Sequence, residues 1–167
     1  MDLTIKKIRN DLPTHKTKKY PKRDLSKISH IDIHHSASPQ ENYRGIETIK
    51  GFARFHVNGH GWPGIGYHYV IDPDGVIYKT GDDGESRWSV GGNNSYTISI
   101  MMIGRLDTEK PTDKQYAAAL GLAKVVSDAY SVPVKNVKGH KEYPGHSSNT
   151  CPGIDMDDFR NDLKKTA

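Results

Sequence analysis

Alternating apolar and polar residues define the first predicted strand, residues 28–35. Because strand side chains alternate between faces, Ile31 and Ile33 are expected on one face, and Asp32 and His34 on the other. The strand ends in two histidines followed by a small polar residue, which is compatible with a metal-binding edge. A histidine pair alone does not define a site, so its meaning depends on what else the chain brings to it.

The rest of the pattern predicts helices and further strands. A turn at residues 72–75, Asp-Pro-Asp-Gly, predicts a hairpin. Residues 96–103 are apolar and β-branched without clean alternation, which is typical of a central strand buried on both faces. Thr112 and Gln115 are spaced as a capping box at a helix start. The predicted helices are residues 45–57, 112–130 and 156–165; the predicted strands after the first are 66–71, 76–80 and 96–103, with a short extended segment at 134–139.

This order of elements predicts an α/β domain, bordering on α+β, with a central mixed sheet flanked by helices. We expect a single domain over residues 28–167, preceded by a basic arm over residues 1–27 that packs on it. The arm is rich in lysine and arginine. We interpret that charge as a solvated extension wrapping the domain rather than as a binding surface.

Composition narrows the choice of partner without identifying one. The chain has 167 residues, 34% of them hydrophobic, a formal net charge of +4 and a pI near 9.0. The mild positive charge favours an anionic partner, and nucleic acid, an anionic cell-wall polymer and a membrane surface all remain possible on charge alone. No apolar run reaches membrane-spanning length, and no stripe of aromatics interleaved with Lys or Arg is present, so we expect neither a membrane span nor nucleic-acid binding. We also expect a monomer, made in the cytoplasm because the N-terminus lacks an apolar signal core.

Three residues far apart in the chain are candidate metal ligands: His34 at a strand end, His140 after a short extended segment, and Cys151, the single cysteine. Two imidazoles and one thiolate suit zinc, and three protein ligands leave a fourth position for water. Their wide separation favours a catalytic site assembled by the fold. Taken alone, however, nine histidines offer many accidental triples, and ordinary buried or exposed histidines are the simpler interpretation.

Six short motifs, taken together, favour a metal site over ordinary buried or exposed histidines. Between about residues 28 and 158, and in the same order, the chain resembles the zinc-dependent N-acetylmuramoyl-L-alanine amidases, the family of the amidase-type phage lysozymes and the peptidoglycan recognition proteins. The motifs are Ile33-His34-His35-Ser36-Ala37, Gly66-Tyr67-His68-Tyr69, Trp88-Ser89-Val90-Gly91, residues 94–100 (Asn-Ser-Tyr-Thr-Ile-Ser-Ile), Gly139-His140-Lys141-Glu142 and Thr150-Cys151-Pro152-Gly153.

The resemblance implies one zinc ion bound by His34, His140 and Cys151. His34 is preferred over His35 because the family's ligand lies two residues before the serine, and strand parity fits that choice. Tyr67 matches the family's active-site tyrosine, and His68, on the other face, is expected to be structural.

Two positions depart from the family pattern. Where relatives place a Lys or Thr two residues before the ligand cysteine, this chain has Asn149; either its amide or, after a one-residue shift, Thr150 would stabilise the oxyanion. Ser89 replaces a histidine found in relatives. The segment around it is expected to line a substrate groove, with core packing as the alternative for Trp88 and loop exposure as the alternative for His146. The residues expected to contact substrate are Trp88, Val90, Gly91, Asn93 and His146.

The implied reaction is hydrolysis of the amide between N-acetylmuramic acid and L-alanine of the peptidoglycan stem peptide. A non-catalytic peptidoglycan receptor on the same fold is the alternative; relatives that only bind typically lack the ligand cysteine, so Cys151 favours the enzyme. The expected partners are bacterial peptidoglycan and, as a further candidate, anionic wall polymers. The lack of an apolar signal core fits a phage or prophage endolysin catalytic domain, released by lysis or through a holin, and the alternative is a cellular autolysin with another export route. The sequence leaves open a wall-binding domain after residue 167.

Overall fold

The computed structural model describes residues 3–166, so the ends of the predicted arm and of the predicted domain, residues 1–2 and 167, lie outside the described residues. Within that range the sheet is built from β1 (Ile5–Lys7), β2 (His30–His35), β3 (Tyr69–Ile71), β4 (Ile77–Lys79), β5 (Thr97–Met102) and β6 (Val137–Gly139). The α-helices of the same range are α1 (Ile46–Arg54), α2 (Asp113–Tyr130) and α3 (Met156–Lys165).

The strands form one mixed sheet in the order β1-β4-β3-β5-β2-β6. The hairpin β3–β4 is antiparallel, as its Asp-Pro-Asp-Gly turn predicts, and every other pairing is parallel. Strand β5 lies between β3 and β2, and all six of its residues are buried. The predicted α/β architecture, with its central mixed sheet and flanking helices, is therefore confirmed.

Each face of the sheet is covered by a separate apolar cluster. Ile31 and Ile33 of β2 pack in the cluster that includes Leu122 of α2 and Phe159 of α3. The opposite cluster combines residues of α1 with Val70, Met101 and Ile103. Full burial of a side chain such as Ile49 of α1 stabilises the fold by roughly 1.5–3 kcal/mol. Strand β2 thus buries one apolar face, while the parity of Asp32 and His34 places them on the other.

Parallel register brings two histidines to one edge of the sheet. Strands β2 and β6 are adjacent and parallel, with Ile33 opposite Gly139. The residues that follow, His34 on β2 and His140 directly after β6, are therefore at the same level. Their ring centroids are 4.9 Å apart. A pair separated by more than a hundred residues is thus assembled by sheet register.

The N-terminal arm contributes a strand that the sequence analysis did not predict. Residues Ile5–Lys7 pair with β4 as a parallel edge strand. Ile8 and Leu12 are then buried in the α1-side cluster, and Tyr20 is buried as well. A three-residue strand of composition Ile-Lys-Lys is too short and too polar to give a periodic signal. Its pairing is set by the neighbouring hairpin instead.

Two predicted helices differ in detail. The first α-helix ends at Arg54, and residues Phe55–Gly59 continue as a π-helical turn that leaves Phe55 exposed. In α2, Thr112 caps the helix by accepting a hydrogen bond from the Gln115 amide N–H at 3.0 Å. The Gln115 side chain does not close the predicted capping box. It donates instead to the carbonyls of two strand ends, Ile71 and Ile103, at 3.0 and 2.8 Å, so α2 is tied to the sheet there.

Candidate metal centre

His34 is almost fully buried at the end of β2, and both of its ring nitrogens have a partner. Nε2 lies 2.9 Å from Oδ1 of Asp32, which is itself fully buried. Nδ1 lies 3.5 Å from Sγ of Cys151. The imidazole is therefore held by a carboxylate on one side and faces a thiol on the other.

His140 and Cys151 are brought together by backbone contacts around β6. His140 begins a short 3-10 turn directly after Gly139, and the Lys141 N–H donates to the Cys151 carbonyl at 3.0 Å. The Cys151 sulfur also accepts from the His35 backbone N–H at 3.4 Å. Gly139 leaves the space that this approach needs, since a Cβ there would lie 2.7 Å from Pro152 Cδ.

The donor atoms of His34, His140 and Cys151 all lie within 4.8 Å of one another. In the part of the chain that the structure describes, they form the one group of three or more His, Cys, Asp or Glu side chains so arranged. Two imidazole nitrogens and one sulfur at this spacing fit a tetrahedral zinc ion, with one position left for a non-protein ligand. The three predicted ligands are thus brought together as predicted.

The charges of this cluster favour a cation. Burial opposes a charged imidazolium at His34, but Asp32 and Cys151 outweigh it and raise its pKa to about 10. Burial, together with His34 and His146, lowers the pKa of His140 to about 4. Metal ligands must be deprotonated, so a zinc ion held here would take the place of the proton on His34.

The predicted tyrosine lies beside the cluster. The ring centroid of Tyr67 is 5.2 Å from that of His34. Burial, reinforced by the nearby Cys151 and Asp32, raises the pKa of the Tyr67 hydroxyl well above its usual value. This hydroxyl stays protonated at neutral pH and can donate a hydrogen bond to an anion.

The two predicted oxyanion residues differ in position. The Asn149 side chain accepts from the Cys151 backbone N–H at 2.7 Å, and its Nδ2 lies 3.5 Å from His140 Nδ1. Thr150 is exposed. The structure therefore brings Asn149, rather than Thr150, into contact with the histidine cluster.

The predicted substrate loop is tied to the cluster from two directions. Ser89 donates to the Asp32 carboxylate at 3.2 Å, and Gly91 offers its carbonyl to His146 Nε2 at 3.2 Å. His146 Nδ1 in turn lies 3.2 Å from His140 Nε2. His146 is therefore in contact with His140, one of the three candidate metal ligands.

The other loop residues have distinct surroundings. Trp88 is half-buried and packs edge-on against Tyr20 and Trp62, at centroid distances of 5.4 and 6.0 Å. The Val90 side chain is fully buried, while Asn93 bonds within the loop, to the Gly91 carbonyl. Of these residues, Gly91 is the one connected to the cluster, through His146, while Trp88 belongs to the aromatic group around Trp62.

Sequence reasoning missed two contributors. The first is Asp32. A carboxylate inside an apolar strand, on the same face as His34, could have indicated a role at the site. The second is His56, whose ring is tilted against Trp62 and Tyr67 at centroid distances of 4.7 and 5.9 Å, and whose Nδ1 accepts from the Gly66 N–H. Burial lowers the pKa of His56 to about 4, so the ring is neutral near pH 7. No comparable sequence signal marked His56, because it lies in a segment predicted as ordinary helix.

Residues 24–154 match the model of the N-acetylmuramoyl-L-alanine amidase family. The match covers most of the chain, including every residue of the cluster. The chain belongs to the N-acetylmuramoyl-L-alanine amidase family.

Relatives and solved structures agree with this assignment. The chain is 31% identical over 140 residues to peptidoglycan-recognition protein SC2 of Drosophila simulans, covering 78% of this chain and 71% of that protein. It is 25% identical over 133 residues to the endolysin of Enterobacteria phage K11, covering 77% and 82%. The fold superposes on the Ph2119 endolysin from the Thermus scotoductus MAT2119 bacteriophage with a TM-score of 0.76 and 26% identity, covering 95% of this chain and 97% of that one. None of the helices in residues 3–166 is both long and apolar enough to span a membrane.

Proposed function

We propose that this chain is a zinc-dependent amidase that hydrolyses the bond between N-acetylmuramic acid and L-alanine of the peptidoglycan stem peptide. The observation that carries the proposal is the convergence of His34, His140 and Cys151, whose donor atoms lie within 4.8 Å of one another. Family membership and similarity to phage endolysins support the substrate class. A zinc ion held by these residues would supply Lewis acidity and lower the pKa of a water molecule to near neutrality.

The chain's own residues then have separate tasks. Tyr67, protonated and next to His34, donates a hydrogen bond to the oxygen that becomes negative in the transition state. The Asn149 amide, close to His140, is the second donor candidate, and exposed Thr150 is the third. Because the Asn149 oxygen accepts from the Cys151 N–H, the donor end of this amide is Nδ2, which lies 3.5 Å from His140 Nδ1.

The residues around the cluster would orient the substrate. The Gly91 carbonyl contacts His146 beside the cluster. A continuous group of aromatic rings runs from Tyr67 through His56 and Trp62 to Trp88. Aromatic faces of this kind suit the apolar faces of sugar rings and alanine side chains. We further propose that the net positive charge of the chain favours a wall rich in anionic polymer, in which case wall binding weakens as salt screens the charges.

The alternative is a receptor that binds peptidoglycan without cleaving it. The retained thiol at position 151 favours the enzyme, since a binding function does not require a buried sulfur facing two imidazoles. The two functions make opposite predictions about product formation.

The test is product analysis on purified peptidoglycan. We expect release of new L-alanine amino termini without new reducing sugar ends, loss of that release with a chelator, and recovery on addition of zinc. The Cys151→Ala variant should be inactive, while Ser38→Ala, outside the cluster, should retain activity. Wall binding without any new amino termini would establish the receptor and refute the amidase.

A further inference from the structure

Asp32 is a carboxylate buried in the middle of an apolar sheet. It lies on β2 between Ile31 and Ile33 and has no exposed surface. Burying a charge costs several kcal/mol unless it is compensated by a partner and by hydrogen bonds. Among the described residues, no lysine or arginine is within ion-pair distance of Asp32, and its charge partner is His34. The burial of Asp32 is therefore compensated by a candidate metal ligand, which ties this carboxylate to the cluster.

Geometry divides the two nitrogens of His34 between two tasks. Nε2 is 2.9 Å from Asp32 Oδ1, so in a neutral ring the proton is on Nε2. Nδ1 is then unprotonated and faces the sulfur of Cys151 at 3.5 Å. Metal-ligating histidines generally donate their other N–H to a carboxylate or carbonyl, which fixes both the tautomer and the ring plane.

The same carboxylate is also connected to the substrate loop. Ser89 Oγ lies 3.2 Å from Asp32 Oδ2 and 3.5 Å from Oδ1, the oxygen that contacts His34. Ser89 precedes the segment whose Gly91 carbonyl contacts His146, the partner of His140. One buried side chain thus links the metal-facing imidazole to the loop between Trp88 and Gly91.

We propose that Asp32 is a positioning residue that holds His34 in the Nε2–H tautomer, with Nδ1 directed at the metal. This inference rests on the proposed zinc-binding function. It assigns Asp32 no contact with substrate and no role as a metal ligand. Its consequence is measurable as zinc affinity, independently of catalysis.

The variant test uses Asp32→Asn, which keeps the shape of the side chain and removes its charge. We expect the zinc dissociation constant, measured by competition with a chromogenic chelator, to rise on the order of 10–100-fold, the range found when such partners are lost. The matched control is Asp72→Asn, because Asp72 is another buried carboxylate, bonded to Tyr43, Tyr78 and backbone N–H groups away from the cluster. It should change thermal stability without changing zinc affinity.

A second variant separates the two contacts of the carboxylate. Ser89→Ala removes the partner of Oδ2 and leaves the His34 contact in place, so zinc affinity should stay within about threefold of wild type, well below the effect of losing a ligand's own partner. A fall as large as that in Asp32→Asn would show that the loop contact sets zinc affinity, and it would overturn the proposal. An Asp32→Asn protein that melts at a lower temperature but binds zinc with unchanged affinity would reduce Asp32 to a structural residue and overturn the proposal.

A third measurement needs no variant. In long-range proton–nitrogen correlation spectra of the zinc-loaded wild-type protein, we expect His34 to carry its proton on Nε2. A proton on Nδ1 would overturn the proposal even if every Asp32 variant failed to fold. If the wild-type protein binds no zinc, the proposed function itself is refuted. If it binds zinc with the proton of His34 on Nδ1, only the proposed role of Asp32 is refuted.

Discussion

The space at Gly139 offers a sharp test of how the centre is assembled. Gly139 ends β6 immediately before His140, and its backbone angles, φ −77° and ψ 154°, suit any residue. A methyl group added there would lie 2.7 Å from Pro152 Cδ and 2.9 Å from Met156 Cγ. Gly139→Ala therefore acts through steric contact with the segment that carries Cys151, not through backbone strain.

The magnitude follows from the contact distance. Carbon atoms pack at roughly 3.5–4.0 Å, so the Pro152 ring must retreat by about 1 Å. Metal–ligand distances tolerate only about 0.2 Å, so a shift of that size between Cys151 and His140 weakens at least one ligand. We expect zinc affinity to fall by at least about tenfold. Overpacking should also lower the free energy of unfolding by about 1–3 kcal/mol.

The assay combines chelator competition for zinc with urea unfolding in the absence of metal. Gly51→Ala is the matched control, because the same methyl group inside α1 meets no atom closer than 4.0 Å. That variant should keep its zinc affinity and gain up to about 1 kcal/mol from helix propensity. A Gly139→Ala protein with wild-type zinc affinity would refute the idea that this packing sets the distance between the two ligands.

Two further substitutions test the surroundings of the centre. Tyr67→Phe should lower kcat by about 10²–10³-fold on peptidoglycan while leaving zinc affinity unchanged, since one oxyanion donor is lost; an unchanged kcat would remove Tyr67 from the mechanism. Burial opposes ionisation of Glu85, but its hydrogen bond to Arg9 and its ion pair with Arg87 outweigh it and lower its pKa from 4.5 to about 2. The stability this gives is complete above pH 4.5 and is lost as the pH falls toward 2. Glu85→Gln should therefore lower the free energy of unfolding at pH 7 by about 2 kcal/mol and flatten its pH dependence in that window; an unchanged acid-unfolding profile would contradict this.

Local sequence patterns are enough to predict much of the fold. The parity of Ile31, Asp32, Ile33 and His34 is a property of any extended chain, so the two faces of β2 could be predicted. The hairpin turn and the fully buried strand β5 are likewise encoded within a few residues. The predicted architecture and the ligand triple follow from these local signals together with family resemblance.

Other features depend on contacts between distant segments and had no local signature. The pairing of β2 with β6, which sets His34 beside His140, joins residues more than a hundred positions apart. The strand at Ile5–Lys7 exists because an edge of the hairpin is available to it. The contact of His146 with His140 depends on a loop whose shape no periodicity encodes.

The most direct test of the account is X-ray absorption at the zinc edge of the protein loaded with one equivalent of metal. The account predicts one sulfur at about 2.3 Å and two imidazole nitrogens at about 2.0 Å, with a light atom from a non-protein ligand completing four-coordination. A shell without sulfur, or a fourth ligand from the protein that closes the site, would contradict the proposal that His34, His140 and Cys151 form a catalytic zinc centre.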